Sequence, residues 1–285
     1  MRYEIPTSVN DAVGLLAAGG AGARVMAGGT DLLVQLRSGI FEPDVVVDIK
    51  RIDETRTITD ENGGFRIGAA VAGAELNEHA SLRKMWPGVA EAFDLIGSVQ
   101  IQGRASLGGN LCNGSPAADS VPALVAAGAV LTVQGPDGRR EIAVEDVPTG
   151  PGRTSLAPGE IAVSFAFPPR AVGQGDAYLR MIPRTEMDIA VVGVGVNLTL
   201  EGGVCTAVRV GLGAVAPTVL LVEDAAKALI GTKLEDNALE AAAAACSAAC
   251  NPIDDKRGTI AYRTRVAGVL LKRTVGIAAE RTFRT

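Results

Sequence analysis

The stretch "VMAGGTDLL", residues 25–33, sets two adjacent glycines between a short apolar stretch and an apparent helix start. Before the glycines, "ARVM" is typical of a short strand. After them, "TDLLVQLRSG" places Leu32, Leu33 and Leu36 on one helical face. A strand, a glycine pair and a helix start form a phosphate-binding arrangement, because the first helical N–H groups are unpaired and an anion can reach the bare backbone. For this stretch alone, a plain strand-to-helix turn is the simpler interpretation.

A second glycine pair, Gly108–Gly109, lies much later in the chain, in "ASLGGNLCNGSPAAD", beside the small polar residues Ser106, Asn110 and Asn113. Such side chains hydrogen-bond phosphate or ribose. Two glycine pairs in separate modules can hold the two halves of a pyrophosphate between them. Neither pair matches the Rossmann or the Walker pattern, and the G-x-G of "GVGVN" (193–197) lies in an apparent strand, where packing explains it better. The sequence therefore predicts a dinucleotide held by a non-Rossmann fold.

The remaining pattern changes along the chain. Up to about residue 54 helices and strands alternate, and the apolar "DVVVDI" predicts a buried strand. The next part predicts hairpins, at "ENGG" and "GPDG", with helical stretches between them. From about residue 176, two long strands joined at "EGG" precede three helical segments. Strands followed by helices favour an α+β module in which the helices cover an antiparallel sheet.

Composition limits the classes of function. The 285 residues are 47% hydrophobic without a run of about 20 apolar residues, so no membrane span is expected. The N-terminus lacks a basic region followed by an apolar block, and we expect no secretory signal. The net charge of -5 comes from mixed signs with no basic block, which argues against nucleic acid. The four cysteines have no paired disulfide spacing, which favours a cytoplasmic protein.

Metal and acid–base chemistry have few candidates. His79 is the only histidine, so a His-based metal site has no second His to use, and we expect it mid-helix at the surface. Cys246 and Cys250 are four apart on a predicted helix in Ala-rich surroundings, which favours packing over metal. Cys112 beside the second glycine pair is best interpreted as a small buried hydrophobe. We expect no metal ligand and no catalytic side chain.

The motifs "AGGTDLL", "ASLGGN" and "SPAADSVPALVAAGA", in this order, resemble the FAD-binding medium subunit of molybdenum hydroxylases, the family of xanthine dehydrogenase and aerobic carbon monoxide dehydrogenase. The resemblance continues through "YLRMIPRTEMDIAVVGVGV" and "NPIDDKRGTIAYRTRVAGVLLKR", so it covers nearly the whole chain. It implies an α+β protein with the vanillyl-alcohol-oxidase-like (PCMH-type) FAD-binding fold. The implied domains are FAD-binding subdomain 1 (residues 1–54), FAD-binding subdomain 2 (55–170) and a C-terminal domain of the carbon monoxide dehydrogenase flavoprotein type (175–285).

The same resemblance implies a set of FAD-binding residues. One side of the pyrophosphate would be wrapped by the first glycine segment, namely Met26, Ala27, Gly28, Gly29, Thr30, Asp31 and Leu32. The other side would be wrapped by the second, namely Ser106, Leu107, Gly108, Gly109 and Asn110. Asp119 matches an acidic position that binds the ADP half, and the backbone around Ile161 would lie near the adenine or the isoalloxazine.

Arg180 falls where many relatives carry a Lys close to the flavin ring, and a fixed cation there would favour the anionic reduced flavin. The alternative for Arg180 and Arg184 is a solvated or ion-paired strand residue, and for Asp188 a strand-start or turn residue. The chain departs from the family at Ile101-Gln102-Gly103, where many relatives read Ile-Arg-Asn, so one cation is lost.

The function implied is electron transfer within a heteromeric molybdenum hydroxylase. A large subunit with a molybdenum cofactor would oxidise the substrate, and a small subunit with [2Fe-2S] clusters would pass the electrons to FAD on this chain. NAD, a quinone or oxygen would then receive them, and the expected assembly is a dimer of heterotrimers. Two alternatives remain open: a stand-alone flavin-dependent reductase or oxidase of the same fold, and a non-catalytic scaffold that has lost FAD.

Overall fold

A small parallel sheet forms the start of the chain in the computed structural model, which describes residues 1–282. Its strands are β1 (Arg2–Glu4), β2 (Ala23–Met26) and β3 (Val45–Asp48), with β3 in the centre. Helix α1 (Val9–Gly19) covers it, and the Ser8 side chain caps α1 by accepting from the Asp11 N–H. β3 is buried throughout, as its β-branched sequence predicts.

Helix α2 (Leu32–Arg37) follows the first glycine pair and is only partly as expected. It begins where predicted, but it buries none of its residues, and Leu33 is 50% exposed. Helical periodicity predicts that its apolar residues join the core beneath the sheet. They do not, because α2 borders a cavity instead.

A five-stranded antiparallel sheet builds the middle of the chain, in the order β4-β5-β10-β6-β7. Its strands are β4 (Ile58–Glu61), β5 (Gly64–Gly68), β6 (Val130–Gly135), β7 (Gly138–Ala143) and β10 (Ile161–Phe167). β8 (Pro148–Gly150) and β9 (Arg153–Thr154) form a separate pair. The helices of this region are α3 (Gly73–Glu78), α4 (Ala80–Met85), α5 (Pro87–Asp94), α6 (Val99–Gln102), α7 (Leu107–Cys112) and α8 (Ser120–Ala127).

The expectation that His79 lies mid-helix at the surface is wrong. His79 separates α3 from α4, and its Nδ1 accepts from the Leu82 N–H as the cap of α4. Its half-buried ring packs edge-on against Phe65. The helical pattern of apolar residues continues through this break in the sequence. The break is not visible there, because it is made by a side-chain cap and not by glycine or proline.

The last part of the chain is an antiparallel sheet covered by helices on one face, as its pattern predicts. Its strands are β11 (Gln174–Met181), β12 (Val192–Glu201), β13 (Val204–Gly213) and β14 (Leu220–Leu221). The covering helices are α9 (Glu223–Leu229), α10 (Asp236–Ala249) and α11 (Ile260–Arg281). Among residues 1–282, no helix is long and apolar enough to cross a membrane.

The glycines of "GVGVN" pack the last sheet against the middle region. The valines of β12 enter the core beneath the helices, while the alternating glycines lie on the opposite face. A Cβ at Gly195 or at Gly211 would overlap the carbonyl oxygen of Pro122 in α8. The interpretation of this G-x-G as packing is confirmed.

Candidate functional site

A cavity of about 490 Å³ lies between the parallel sheet and the five-stranded sheet, within the usual size of small-molecule sites. Both glycine segments line it. The predicted residues in its wall are Met26, Ala27, Gly28, Gly29, Thr30, Asp31, Leu32, Ser106, Gly108, Gly109, Asn110 and Ile161. Leu107, Asp119 and Arg180 are not in the wall; each of the three is buried behind it.

The first glycine loop, residues 27–31, offers hydrogen-bond donors to this cavity. Among residues 1–282, the backbone N–H groups of residues 28–31 have no acceptor. Gly29 has φ +77°, a left-handed conformation that favours glycine, and its carbonyl accepts from the Leu33 N–H. Consecutive free N–H groups around a left-handed residue form a concave site that binds anions.

Gly28 is required for a reason that the sequence does not show. A Cβ at this position would overlap the carbonyl oxygen of Arg104, just before the second glycine segment. The group that comes too close for a side chain is therefore the protein's own backbone. Gly28 lets the two sides of the cavity meet at one end, and the ligand space begins beyond that contact.

The second glycine segment, residues 105–113, uses most of its donors inside the protein. The Gly108 N–H donates to the carbonyl of Ala69 at 3.0 Å, and a Cβ at Gly108 would lie 2.6 Å from that oxygen. The Gly109 N–H donates to Ser106 Oγ at 3.1 Å, which caps α7. No backbone atom among residues 1–282 crowds Gly109: within 4 Å a Cβ there would meet a single atom of those residues, Ser106 Oγ, in a tight contact of 3.2 Å. At this segment a ligand therefore meets a glycine without a side chain, Gly109, and few free backbone N–H groups.

Two polar side chains complete this second wall. Asn110 Oδ1 accepts from the Ser120 hydroxyl at 2.6 Å, which leaves the Asn110 amide N–H groups without an acceptor among residues 1–282. The Ser106 hydroxyl proton likewise has no acceptor in the described part of the chain. Both residues can donate to phosphate or ribose oxygens.

A buried ion pair, Asp119 with Arg180, lies behind the second wall. Asp119 accepts from the Arg180 guanidinium at 2.7 Å and from the Tyr178 hydroxyl at 2.9 Å. Burial raises the pKa of Asp119 to about 6, although Arg180 and Tyr178 both favour the carboxylate. Arg180 is thus buried and ion-paired, and its Nε has no hydrogen-bond partner among residues 1–282.

The other charged and cysteine residues act within the protein. Asp188 accepts from Arg184 at 3.2 Å and lies in the irregular segment before β12, so it is ion-paired within the protein. Burial raises the pKa of the Cys112 thiol to about 12, so this cavity residue is a neutral thiol at neutral pH. Cys250 Sγ donates to the Cys246 carbonyl at 3.1 Å. Among residues 1–282, no group of three or more His, Cys, Asp or Glu side chains could hold a metal ion.

Sequence reasoning missed two long-range contacts that shape the cavity. Lys50 donates to the carbonyl of Ala27 at 2.8 Å, although 23 positions separate the two residues. Gln35 in α2 donates to Asn113 Oδ1 at 3.2 Å and so links the two sides. No local motif marks either contact, because each depends on how the sheets meet.

The chain matches known protein families over most of its length. The family described as "FAD binding domain in molybdopterin dehydrogenase" matches residues 1–170, and "CO dehydrogenase flavoprotein C-terminal domain" matches residues 177–278. The carbon monoxide dehydrogenase medium chain of Afipia carboxidovorans is 36% identical over 279 residues, which are 98% of this chain and 96% of the relative.

Two further comparisons agree. The xanthine dehydrogenase FAD-binding subunit of Escherichia coli O157:H7 is 31% identical over 278 residues, which are 97% of this chain and 95% of the relative. A chain in the structure of reconstituted CO dehydrogenase from Oligotropha carboxidovorans superposes with a TM-score of 0.95 at 35% identity. The superposition covers 99% of this chain and 98% of that one.

Proposed function

We propose a function from one premise: the chain belongs to the family of FAD-binding subunits of molybdenum hydroxylases, the molybdopterin dehydrogenases. It is the FAD-binding medium chain of such an oxidoreductase. In the complete enzyme we propose that it receives electrons from the iron–sulfur clusters of one partner and delivers them to NAD, a quinone or oxygen. When bound, FAD supplies the exchange between single electrons and electron pairs.

One observation carries the proposal: residues 28–31, whose four backbone N–H groups have no acceptor among residues 1–282, line the same cavity as the second glycine segment. A diphosphate fits this arrangement, because backbone N–H groups stabilise negative charge without needing a counter-ion. Gly109 opposite gives the phosphates room, and Ser106 and Asn110 present donors to them. We therefore propose that the first loop binds the diphosphate and the second segment encloses it.

The residues behind the wall have a different role in this proposal. Asp119 and Arg180 hold each other at 2.7 Å, so little free positive charge reaches a flavin ring from Arg180. We propose that the pair is a neutral, buried support behind the second glycine segment, while Ile161 lines the cavity. The remaining work of the chain is to orient FAD and to exclude water.

The partners proposed are an iron–sulfur small subunit and a molybdenum large subunit, in a dimer of heterotrimers. Support comes from the relatives, which are named as the medium chain of carbon monoxide dehydrogenase and the FAD-binding subunit of xanthine dehydrogenase. We also propose three structural units, residues 1–54, 55–170 and 175–285, and a cytoplasmic location. The four free cysteines suit a reducing compartment.

Purification of the chain from its native source tests this function. We expect flavin absorbance with one FAD per chain, together with two further subunits, molybdenum and iron. A yellow chain that purifies alone and turns over a substrate would instead establish the stand-alone reductase or oxidase. A chain with no flavin absorbance that takes up no added FAD would establish the scaffold.

A further inference from the structure

Lys50 lies beneath the first glycine loop and contacts its backbone. The Lys50 ammonium donates to the carbonyl oxygen of Ala27 at 2.8 Å and to Oδ1 of Asp48 at 2.7 Å. Ala27 and Gly28 line the cavity, whereas Lys50 does not. Lys50 therefore reaches a bound ligand through the Ala27–Gly28 peptide and not by direct contact.

The geometry of that peptide gives the contact a consequence. In a planar trans peptide the carbonyl and the following N–H point in opposite directions. The Ala27 carbonyl points at Lys50, so the Gly28 N–H points away from Lys50. That N–H is the first of the four in residues 28–31 that have no acceptor among residues 1–282.

Lys50 is itself fixed in place by Asp48 and Tyr3. Asp48 ends the central strand β3, opposite Met26 of β2, and its Oδ1 also accepts from the Lys50 backbone N–H at 3.0 Å. The Tyr3 hydroxyl donates to Oδ2 of Asp48. Burial opposes ionisation of Asp48, but these hydrogen bonds hold its pKa below the usual value, so the ammonium faces a carboxylate at neutral pH.

We propose that Lys50 is a positioning residue for FAD: by holding the Ala27 carbonyl, it aims the Gly28 N–H and the N–H groups that follow at the FAD diphosphate. This inference rests on the proposed function. Because Asp48 neutralises the ammonium, the contribution of Lys50 is orientation of the loop and not net positive charge. Loss of another nearby cation should then have no such effect.

The experiment compares three variants of the full chain with the wild type. FAD binding by the wild type also tests the proposed function itself. Lys50→Met removes the hydrogen bond, Lys50→Arg retains a donor, and Arg51→Met removes the charge of an exposed neighbour. The Kd for FAD is measured from the quenching of flavin fluorescence as apoprotein is added. The thermal midpoint of each apoprotein and the absorption spectrum of its bound flavin are recorded as well.

We expect Lys50→Met to weaken FAD binding by about 10-fold to 100-fold, the effect of one charge-assisted hydrogen bond. Lys50→Arg should recover most of the affinity, and Arg51→Met should bind as the wild type does. The spectrum of the bound flavin should be unchanged, because Lys50 does not face the cavity.

The possible failures are distinguishable. If the wild type binds no FAD, the proposed function fails. If the wild type binds FAD and Lys50→Met binds it equally well, the inference alone is wrong. Equal losses in Lys50→Met and Arg51→Met would assign the effect to bulk charge and overturn it. If Lys50→Met lowers the thermal midpoint, and Lys50→Arg recovers neither the midpoint nor the affinity for FAD, Lys50 serves stability alone and the inference is overturned as well.

Discussion

The two glycine segments lie on opposite sides of one cavity, yet they are built differently. In the first loop, residues 28–31 have backbone donors without acceptors among residues 1–282, and the helix that follows buries none of its residues. In the second segment, the N–H groups of Gly108 and Gly109 both donate within the protein. Leu107 and Leu111 of α7 also lie in the core. One side is an open donor surface on a lightly packed loop, and the other is a preformed wall.

The difference shows that similar short motifs can satisfy different physical demands. Gly108 is needed because the backbone of Ala69 approaches it, which is a packing requirement. Gly29 is needed for a left-handed turn that exposes N–H groups, which is a binding requirement. The free backbone donors for a ligand should therefore lie mainly in the first loop, whereas close backbone packing is the main demand on the second segment.

The largest expected contrast comes from equal truncations of the two helices that follow the glycines. Leu107→Ala in α7 should lower the free energy of unfolding by about 2–5 kcal/mol, because the side chain is fully buried. Leu33→Ala in α2 should change it by less than about 0.5 kcal/mol, because the side chain is half exposed. Urea unfolding of the two variants measures both values. Similar losses would mean that α2 is packed as firmly as α7.

Gly28→Ala tests the place where the two sides meet. The added Cβ would overlap the Arg104 carbonyl, so the first loop must move away from the second segment. We expect a loss of about 1–3 kcal/mol in unfolding free energy, typical of overpacking, together with weaker FAD retention. Gly14→Ala in α1 is the matched control, since its Cβ would meet no atom of residues 1–282 within 4 Å. A Gly28→Ala variant that retains FAD normally would show that this contact is not needed for binding.

Adjacent glycines of the second segment should respond in opposite ways. Gly109→Ala adds a methyl group in the cavity wall and should weaken FAD binding by about tenfold, or about 1.4 kcal/mol. Its apoprotein should lose less stability than that of Gly108→Ala, because the gain in helix propensity from alanine offsets the tight contact of the Cβ with Ser106 Oγ at 3.2 Å. Gly108→Ala should lower apoprotein stability instead, because its Cβ would lie 2.6 Å from the Ala69 oxygen. FAD titrations and thermal unfolding of both apoproteins separate the two effects, and the reverse pattern would contradict the assigned roles.

Local patterns in the sequence predicted the order of strands and helices and the two glycine pairs, whereas the fold and the residues around the glycines were implied by the resemblance to a known family. β3 was readable from its β-branched residues, and the packing role of "GVGVN" from its position within a strand. The contacts of Gly28 with Arg104 and of Lys50 with Ala27 were not readable. They join segments far apart in the chain, and no spacing rule encodes where separate sheets come together.

The smallest predicted effect is a pH dependence of stability that comes from Asp119, which is buried behind the second wall. Burial raises the pKa of Asp119 from 3.8 to about 6, so between these values the folded chain binds a proton that the unfolded chain does not. The wild type should therefore gain stability relative to Asp119→Asn as the pH falls from 7 to 5, by about 1 kcal/mol. Thermal unfolding at both pH values measures this, with the exposed Asp60→Asn as the control for a lost charge. A difference that does not change with pH would mean that Arg180 keeps Asp119 ionised throughout, so that the second wall ends in an ordinary ion pair.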